Sequence, residues 1–305
     1  MVGTPGISSN DPELEGAVAL WLAESRMPMP RGLQLRLEVV DVVPVLEDSR
    51  EVFPQGDVAI QAGEPLGWVH VTWRHAPAVA RIEATLPRAQ VHISRQALES
   101  LDYLLRSFLL VTLIFLWKRD RRYHVHAGTA IDSAGRGWML IGNSCSGKST
   151  TTALLAARGW RVGTDDIAFL VDQGPRAGVL GFRSPIALRP GGFQLLGQAG
   201  GVPLPSRGKT GFWPEELGAE WVQTIEPDIV VFTSVGGDRT RLTAASPTEI
   251  LKALLQWSLW VMFEPTAAQD HLDLLSRLGR QARCYHASLA PDLFSAPRAL
   301  ETFLP

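Results

Sequence analysis

One octapeptide, residues 142–149, constrains the fold of this chain more than any other segment. It reads Gly-Asn-Ser-Cys-Ser-Gly-Lys-Ser and matches the pattern G-x-x-x-x-G-K-[ST] completely. The apolar run 138–141 leads directly into it, and an Ala/Leu-rich stretch, 148–158, leads directly out and ends at Gly159. The octapeptide therefore predicts a strand, a glycine-containing loop and a helix in immediate succession.

This loop predicts a phosphate-binding site. Backbone N–H groups of the loop and the N-terminus of the following helix would converge on phosphate oxygens. Lys148 would reach the β- and γ-phosphates of ATP, and the Ser149 hydroxyl would hold Mg²⁺. A glycine-rich turn without a ligand is disfavoured, because the lysine, the hydroxyl and both flanking elements are present. The predicted nucleotide-binding residues are Gly142, Asn143, Ser144, Cys145, Ser146, Gly147, Lys148, Ser149 and Thr150.

Two adjacent carboxylates, Asp165 and Asp166, follow the loop after one helix, one turn and one short strand, residues 161–164. A strand that returns beside the first would place them at the phosphate end of the sheet. One carboxylate could anchor Mg²⁺ and the other could accept the proton of an attacking hydroxyl. The alternative is a solvated turn that happens to carry two aspartates.

His124 and His126 stand two residues apart in a predicted strand, 123–131, so their side chains share a face. Three interpretations compete. His126 orients the catalytic carboxylate, the pair binds a metal, or both side chains are packed and hydrogen-bonded. The metal interpretation is weak without further His or Cys at ligand spacing, and the catalytic role of His126 is slightly favoured.

Arg189 and Lys209 are two further basic residues of interest. Arg189 follows the predicted strand 185–188, and Lys209 lies in a Ser-Arg-Gly-Lys-Thr stretch. Either could close over a transferring phosphoryl group. Solvent exposure is the favoured interpretation for each, because nothing in the sequence shows that they converge on the loop.

The chain divides by pattern into a β-rich N-terminal region with a linking helix, 1–120, and a P-loop domain, 121–305. Residues 1–30 are rich in Pro, Gly and Ser and are predicted to be loosely ordered. Short β-type runs fill 33–91, and 94–118 has helical spacing. The apolar run 108–117 is too short for a membrane span and is predicted to be a buried helix.

The composition excludes some classes of partner. The net charge is −2, so no global field draws the chain to nucleic acid or to an anionic membrane. Cys145 and Cys284 cannot form a disulfide framework, and no signal sequence opens the chain, so a cytoplasmic location is expected.

The segment from His126 to about residue 170 resembles the HPr serine kinase/phosphorylase family and the related kinases found beside lasso-peptide genes. The matching elements are His126 with Gly128, the loop itself, and Val162 to Asp166. The resemblance implies a P-loop kinase core of the HPr kinase type, α/β with a mixed sheet. It further implies that Asp166 accepts the proton of a serine-type hydroxyl, with His126 and Lys148 as catalytic partners and Asp165 supporting the metal.

The sequence also departs from that family. Cys145 stands where the family has glycine, Ala187 stands where a metal-binding glutamate precedes an arginine, and an Arg-Pro-Gly-Arg-Asn element is missing. HPr is therefore not the expected acceptor, and a reverse phosphorylase activity is not expected. The expectation is an ATP- and Mg²⁺-dependent kinase acting on a serine of a small protein or peptide. A regulatory ATPase and a small-metabolite kinase remain alternatives, and a homo-oligomer is compatible with the sequence.

Overall fold

The computed structural model describes residues 6–45, 50–55, 57–62, 67–197, 200–204, 208–256, 258 and 265–295. They form a mixed α/β structure with mixed sheets, as predicted. The chain divides into two compact units, Met1–Arg122 with Met262–Ala268, and Tyr123–Val261 with Gln269–Pro305. None of the described helices combines the length and the apolar character that a bilayer crossing requires.

The first unit contains a seven-stranded sheet in the order β1-β2-β7-β6-β5-β4-β3. Strands β3 to β7 are antiparallel neighbours, as the sequence predicts, whereas β1, β2 and β7 are parallel to one another. The strands are β1 (Ile7–Ser9), β2 (Gln34–Val40), β3 (Arg50–Gln55), β4 (Val58–Ala62), β5 (Trp68–Trp73), β6 (Ala78–Glu83) and β7 (Arg88–Ser94).

The prediction that residues 1–30 are loosely ordered is wrong for the described part of that segment. Helix α1 (Pro12–Ser25) joins β1 to β2, and a crossover of this kind makes the two strands parallel. The Asp11 side chain caps the helix by accepting hydrogen bonds from two backbone N–H groups of its first turn, and Pro12 occupies its first position. Leu14, Val18 and Leu22 are buried at a spacing of four residues, a signal that the Pro and Gly content obscured.

The predicted helix 94–118 forms in pieces. Ser94 caps α2 (Arg95–Leu98) through its hydroxyl, and a second helical stretch begins at Leu101. That stretch comprises α3 (Leu101–Tyr103), a π-helical segment (Leu104–Leu109) and α4 (Leu110–Lys118). Every residue of α4 is buried, so the apolar run is a core helix as predicted.

The second unit contains a nine-stranded mixed sheet in the order β16-β12-β11-β8-β9-β17-β19-β18, with β10 paired to β8. A smaller sheet has the order β13-β15-β14. The strands are β8 (Tyr123–Ile131), β9 (Gly137–Ile141), β10 (Arg161–Thr164), β11 (Ile167–Gln173), β12 (Arg176–Gly181), β13 (Ile186–Leu188), β14 (Val202–Leu204), β15 (Lys209–Phe212), β16 (Thr224–Ile225), β17 (Pro227–Val235), β18 (Arg241–Ala244) and β19 (Arg283–Leu289).

Helices of the C-terminal half flank these strands. The predicted helix from residue 247 is described as far as Gln256, and its expected end near Met262 lies outside the described residues. The described helices are α5 (Lys148–Ala156), α6 (Pro190–Leu195), a 3-10 turn (Pro214–Leu217), α7 (Pro247–Gln256), α8 (Pro265–Gln281) and α9 (Asp292–Ser295).

Strands β10 and β11 run along the same neighbour, β8, and Asp165 and Asp166 are the two residues between them. The returning strand thus pairs with β8 and not with the P-loop strand β9, which lies on the other side of β8. The Ala127 N–H donates to the Asp166 carbonyl over 3.1 Å, and Ala127 is also the register partner of Ile141, the last residue of β9. The carboxylates consequently emerge beside the start of the loop.

Helix α5 packs closely on β8. A Cβ atom on Gly128 would lie 2.6 Å from the Thr152 hydroxyl oxygen, so a side chain there would push the helix away from the sheet. Ala153, Leu154 and Ala156 of the helix join the hydrophobic core together with Trp138. The packing of α5 against β8 and the core therefore fixes the position of the loop that precedes the helix.

Asp132 stabilises the turn between β8 and β9, and its removal gives a testable stability change. Its buried carboxylate accepts hydrogen bonds from the Trp138 indole N–H (3.0 Å), the Arg136 guanidinium (2.7 Å) and the Ala134 N–H (3.0 Å). Burial by itself would raise the pKa of Asp132, but the hydrogen bonds from Trp138 and Arg136 outweigh it and hold the pKa below its usual value.

Asp132→Asn is expected to lower the free energy of unfolding by about 2 kcal/mol at neutral pH, because buried donors lose a charged acceptor. Because the pKa of Asp132 is lower in the folded protein, its stabilisation is fully present above the ordinary carboxyl pKa. The stabilisation is lost as the pH falls below about 4. Urea denaturation at neutral and acidic pH measures both effects. The exposed Asp238→Asn is the control. If the difference in free energy of unfolding between Asp132→Asn and the wild type did not become smaller in acid, this account would be contradicted.

Candidate functional site

The loop between β9 and α5 has the backbone geometry that its sequence predicts. Gly147 precedes α5 with φ +93°, and a Cβ atom there would lie 2.9 Å from Leu289 Cδ1. Cys145 adopts the left-handed conformation with φ +64°, which explains why glycine suits this position in the family that the loop resembles. The Ser146 hydroxyl lies 2.9 Å from the Thr233 hydroxyl, so the loop is tied to β17.

Lys148 lies buried at the centre of the loop. Its ammonium donates hydrogen bonds to the carbonyl oxygens of Gly142 (2.8 Å) and Asn143 (2.9 Å). Burial lowers the pKa of Lys148, while the carboxylates of Asp166 and Asp165 act in the opposite direction. A partly desolvated cation at a helix N-terminus is a strong receptor for phosphate oxygens.

Asp165 is buried behind the loop, with 2% of its surface exposed. Its carboxylate accepts a hydrogen bond from the Ala187 N–H over 3.2 Å and another from the Ser149 hydroxyl. Burial raises the pKa of Asp165, the charge of Asp166 raises it further, and the two hydrogen bonds oppose the shift. Ser149 and Asp165 therefore form a connected pair of oxygen groups beneath the phosphate-binding loop.

His126 and Asp166 form an ion-pair contact of 2.6 Å between Nδ1 and Oδ1, and both side chains are partly exposed. His124 behaves differently. It is buried, its ring packs edge-on against Phe169, and burial lowers its pKa to about 3. The two histidines that the sequence groups together thus separate into a partner of the carboxylate and a neutral core residue.

The described residues contain no cluster of three or more His, Cys, Asp or Glu that could hold a metal ion. Mg²⁺ does not require such a cluster, because it is commonly bound through one or two protein oxygens together with substrate phosphates and water. The Ser149 hydroxyl and the Asp165 carboxylate supply oxygens of this type.

A cavity of about 680 Å³ surrounds the loop. The cavity has two flanks, and in the large sheet β8 and β11 lie on one side of β9 whereas β17 and β19 lie on the other. The polar flank carries His126 and Asp166 from the large sheet and Arg189 and Lys209 from the region of the smaller sheet, together with the apolar Ala187. The apolar flank consists of Val235, Leu289, Ala290, Pro291, Leu293 and Phe294.

Most of the predicted site residues meet at this cavity. Its lining includes Ser144, Cys145, Ser146, Gly147, Lys148, Ser149 and Thr150 of the loop, together with His126 and Asp166. Gly142 and Asn143 contribute the carbonyls that hold Lys148, and Asp165 lies behind the lining.

Arg189 and Lys209 also line the cavity, so they converge on the loop, which the sequence does not show; Arg189 is exposed as expected, whereas Lys209 is half-buried. Strand pairing between β13 and β15 brings them there, and the sequence gives no sign of that pairing. The apolar flank is likewise not evident from the sequence, because it depends on which strands become the parallel neighbours of β9 and end at the same edge of the sheet.

No family model matches this chain, and no curated protein matches its sequence. The likeness to HPr serine kinases therefore remains a resemblance carried by the motifs.

Proposed function

We propose that this protein is an ATP-dependent kinase with a P-loop core of the HPr kinase type, which transfers the γ-phosphoryl group to a hydroxyl, most simply a serine of a protein or peptide. The observation that carries the proposal is the contact of His126 with Asp166, at 2.6 Å, on the cavity that Lys148 also lines. A nucleotide-binding loop alone would serve many functions, whereas a carboxylate oriented beside it suits the activation of a hydroxyl.

The two flanks of the cavity favour one orientation of the nucleotide. The loop N–H groups and Lys148 would hold the phosphates, and the apolar flank with Leu289 and Phe294 would receive the base and ribose. The γ-phosphate would then face the polar flank with Asp166. Ser149 and Asp165 would hold Mg²⁺, which neutralises charge on the phosphate oxygens when it is bound.

In this arrangement Asp166 accepts the proton of the acceptor hydroxyl as that oxygen forms its bond to the γ-phosphorus. The bond from the γ-phosphorus to the bridging oxygen breaks, and ADP leaves with its electron pair. His126 orients the Asp166 carboxylate through its Nδ1 contact. Lys148 neutralises charge that develops on the phosphates, so positioning and electrostatics account for the catalysis.

The experiment that tests this function uses γ-labelled ATP with Mg²⁺ and a lysate of the source cell, with boiled protein as the blank. Label transferred to a protein or peptide is the expected result, and it would also deliver the acceptor. Release of free phosphate without any labelled acceptor would favour a regulatory ATPase. A labelled small metabolite would favour a small-metabolite kinase.

Asp165→Asn is expected to weaken Mg²⁺-dependent nucleotide binding by about tenfold and to leave binding in EDTA unchanged. The reason is that the amide keeps the shape of the side chain but removes an anionic oxygen next to Ser149. Titration of a fluorescent ATP analogue with and without Mg²⁺ measures the difference. An equal loss in both conditions would show that Asp165 only supports the loop structurally.

A further inference from the structure

Two cations stand opposite each other at the end of the pairing between β13 and β15. Leu188 is the register partner of Thr210, and continuing this antiparallel register by one step places Arg189 opposite Lys209. Both residues line the cavity beside Asp166. Like charges directly opposite on neighbouring strands are destabilising, so an anion that lies between the two cations would stabilise this end of the small sheet.

Within the described part of the chain, neither Arg189 nor Lys209 has a carboxylate partner within ion-pair distance. Nearby arginines on the same unit do have such partners. Arg176 contacts Asp228 at 2.7 Å, and Arg183 contacts Glu215 at 3.1 Å. Arg189 is exposed and Lys209 is half-buried, so the charge of each is accessible to an anion that enters the cavity.

The position of the pair indicates which part of the reaction it serves. Lys148 already lies at the centre of the loop, where the nucleotide phosphates would bind. The β13 strand is tied to the acidic pair through the Ala187 N–H, which donates to Asp165 over 3.2 Å. Arg189 and Lys209 thus belong to the polar flank of the loop, opposite the apolar flank that suits the base.

We propose that Arg189 and Lys209 bind an anionic group of the acceptor, a carboxylate or a phosphate, next to the hydroxyl that receives the phosphoryl group. The assignment of this anion to the acceptor rests on the proposed kinase function, whereas the anion site itself does not. The acceptor would accordingly be an acidic peptide or protein segment, and a neutral serine peptide would be a poor substrate.

Inorganic phosphate is the probe for the anion site. We expect it to bind, in isothermal titration calorimetry, to the protein saturated with Mg²⁺ and either ADP or the non-hydrolysable ATP analogue AMP-PNP. Arg189→Ala and Lys209→Ala should each weaken that binding by about tenfold, because each removes one charged hydrogen-bond donor. The exposed Lys252→Ala should stay within about threefold of the wild type, and so should Arg189→Lys and Lys209→Arg, because they keep a positive charge that attracts phosphate.

Two results would overturn the proposal. Phosphate that binds with ADP but not with AMP-PNP would place the pair at the γ-phosphate position. Absence of phosphate binding, or binding by both alanine variants as tight as by the wild type, would show that Arg189 and Lys209 do not form an anion site. Failure of the kinase proposal would be a separate result, because phosphate binding to the nucleotide-saturated protein requires no phosphoryl transfer.

Peptide libraries test the acceptor itself. Serine peptides flanked by Asp and Glu, or by phosphoserine, are compared with matched peptides flanked by Asn and Gln, using γ-labelled ATP. We expect at least about tenfold more label in one of the anionic sets, falling to less than about twofold in the Arg189→Ala, Lys209→Ala double variant. Whichever anionic set is preferred identifies the anion. Equal labelling of anionic and neutral peptides by the wild type would contradict the proposal.

Discussion

Asp166→Asn is expected to lower the rate of phosphoryl transfer by about 1000-fold while the nucleotide dissociation constant changes by less than about threefold. The asparagine keeps the size of the side chain and an oxygen that faces His126, but it cannot take up the proton of a hydroxyl. Binding is spared because Asp166 lies on the polar flank, whereas the loop and Lys148 hold the phosphates. Transfer of γ-label and titration of a fluorescent ATP analogue measure the two quantities.

The exposed Asp238→Asn is the matched control for this variant, since it makes the same chemical change on the turn that follows β17. It should leave both quantities unchanged. An equal loss of ATP affinity and of transfer in Asp166→Asn would refute the role of Asp166 as proton acceptor, because it would make Asp166 part of the nucleotide site.

Lys148→Met is expected to show the second large effect, a loss of nucleotide affinity of about 100-fold, since a buried charged donor to phosphate is removed. Methionine retains much of the apolar stem that fills the loop. The carbonyl oxygens of Gly142 and Asn143 lose their donor, so a lower midpoint of thermal unfolding is also expected.

Equilibrium titration with the fluorescent ATP analogue, performed well below the unfolding temperature of the variant, separates lost affinity from lost folding. The exposed Lys252→Ala on α7 is the control for removal of a positive charge and should bind nucleotide like the wild type. If the folded Lys148→Met protein bound nucleotide with wild-type affinity, the loop would not be part of the nucleotide site.

Local signals predicted the part of the fold that carries the loop. The strand 123–131 agrees with β8 residue for residue, and the octapeptide places the end of β9 and the start of α5. These elements depend on alternation, helix propensity and glycine positions within a few residues of one another, which the sequence displays directly. The acidic pair lies beside the loop as predicted, but the predicted strand pairing differs, because the strands on either side of the pair join β8 and not the P-loop strand β9.

Long-range pairing accounts for what the sequence did not predict. Arg189 and Lys209 both reach the cavity because β13 pairs with β15 across a connection that contains α6 and β14. The apolar flank with Leu289 joins the site because β19 pairs in parallel with β17, which in turn pairs with β9. Such pairings depend on the packing of the whole sheet and not on the residues beside each strand.

The two histidines illustrate the same limit on a smaller scale. Alternation puts His124 and His126 on one face of β8, but it does not say where the cavity ends and the core begins. His124 lies within the core against Phe169, and His126 lies at the cavity with Asp166. Burial, which the pattern does not encode, assigns them different roles.

The most direct test of the central claim is a crystal structure of the protein with Mg²⁺ and AMP-PNP, in which the distance from the γ-phosphorus to the Asp166 carboxylate is measured. We predict a separation of about 6 Å, which leaves room for one hydroxyl oxygen in contact with both, and a base that lies against the apolar flank. A γ-phosphate that points to the apolar flank, or lies more than about 10 Å from Asp166, would contradict the proposed transfer to a hydroxyl.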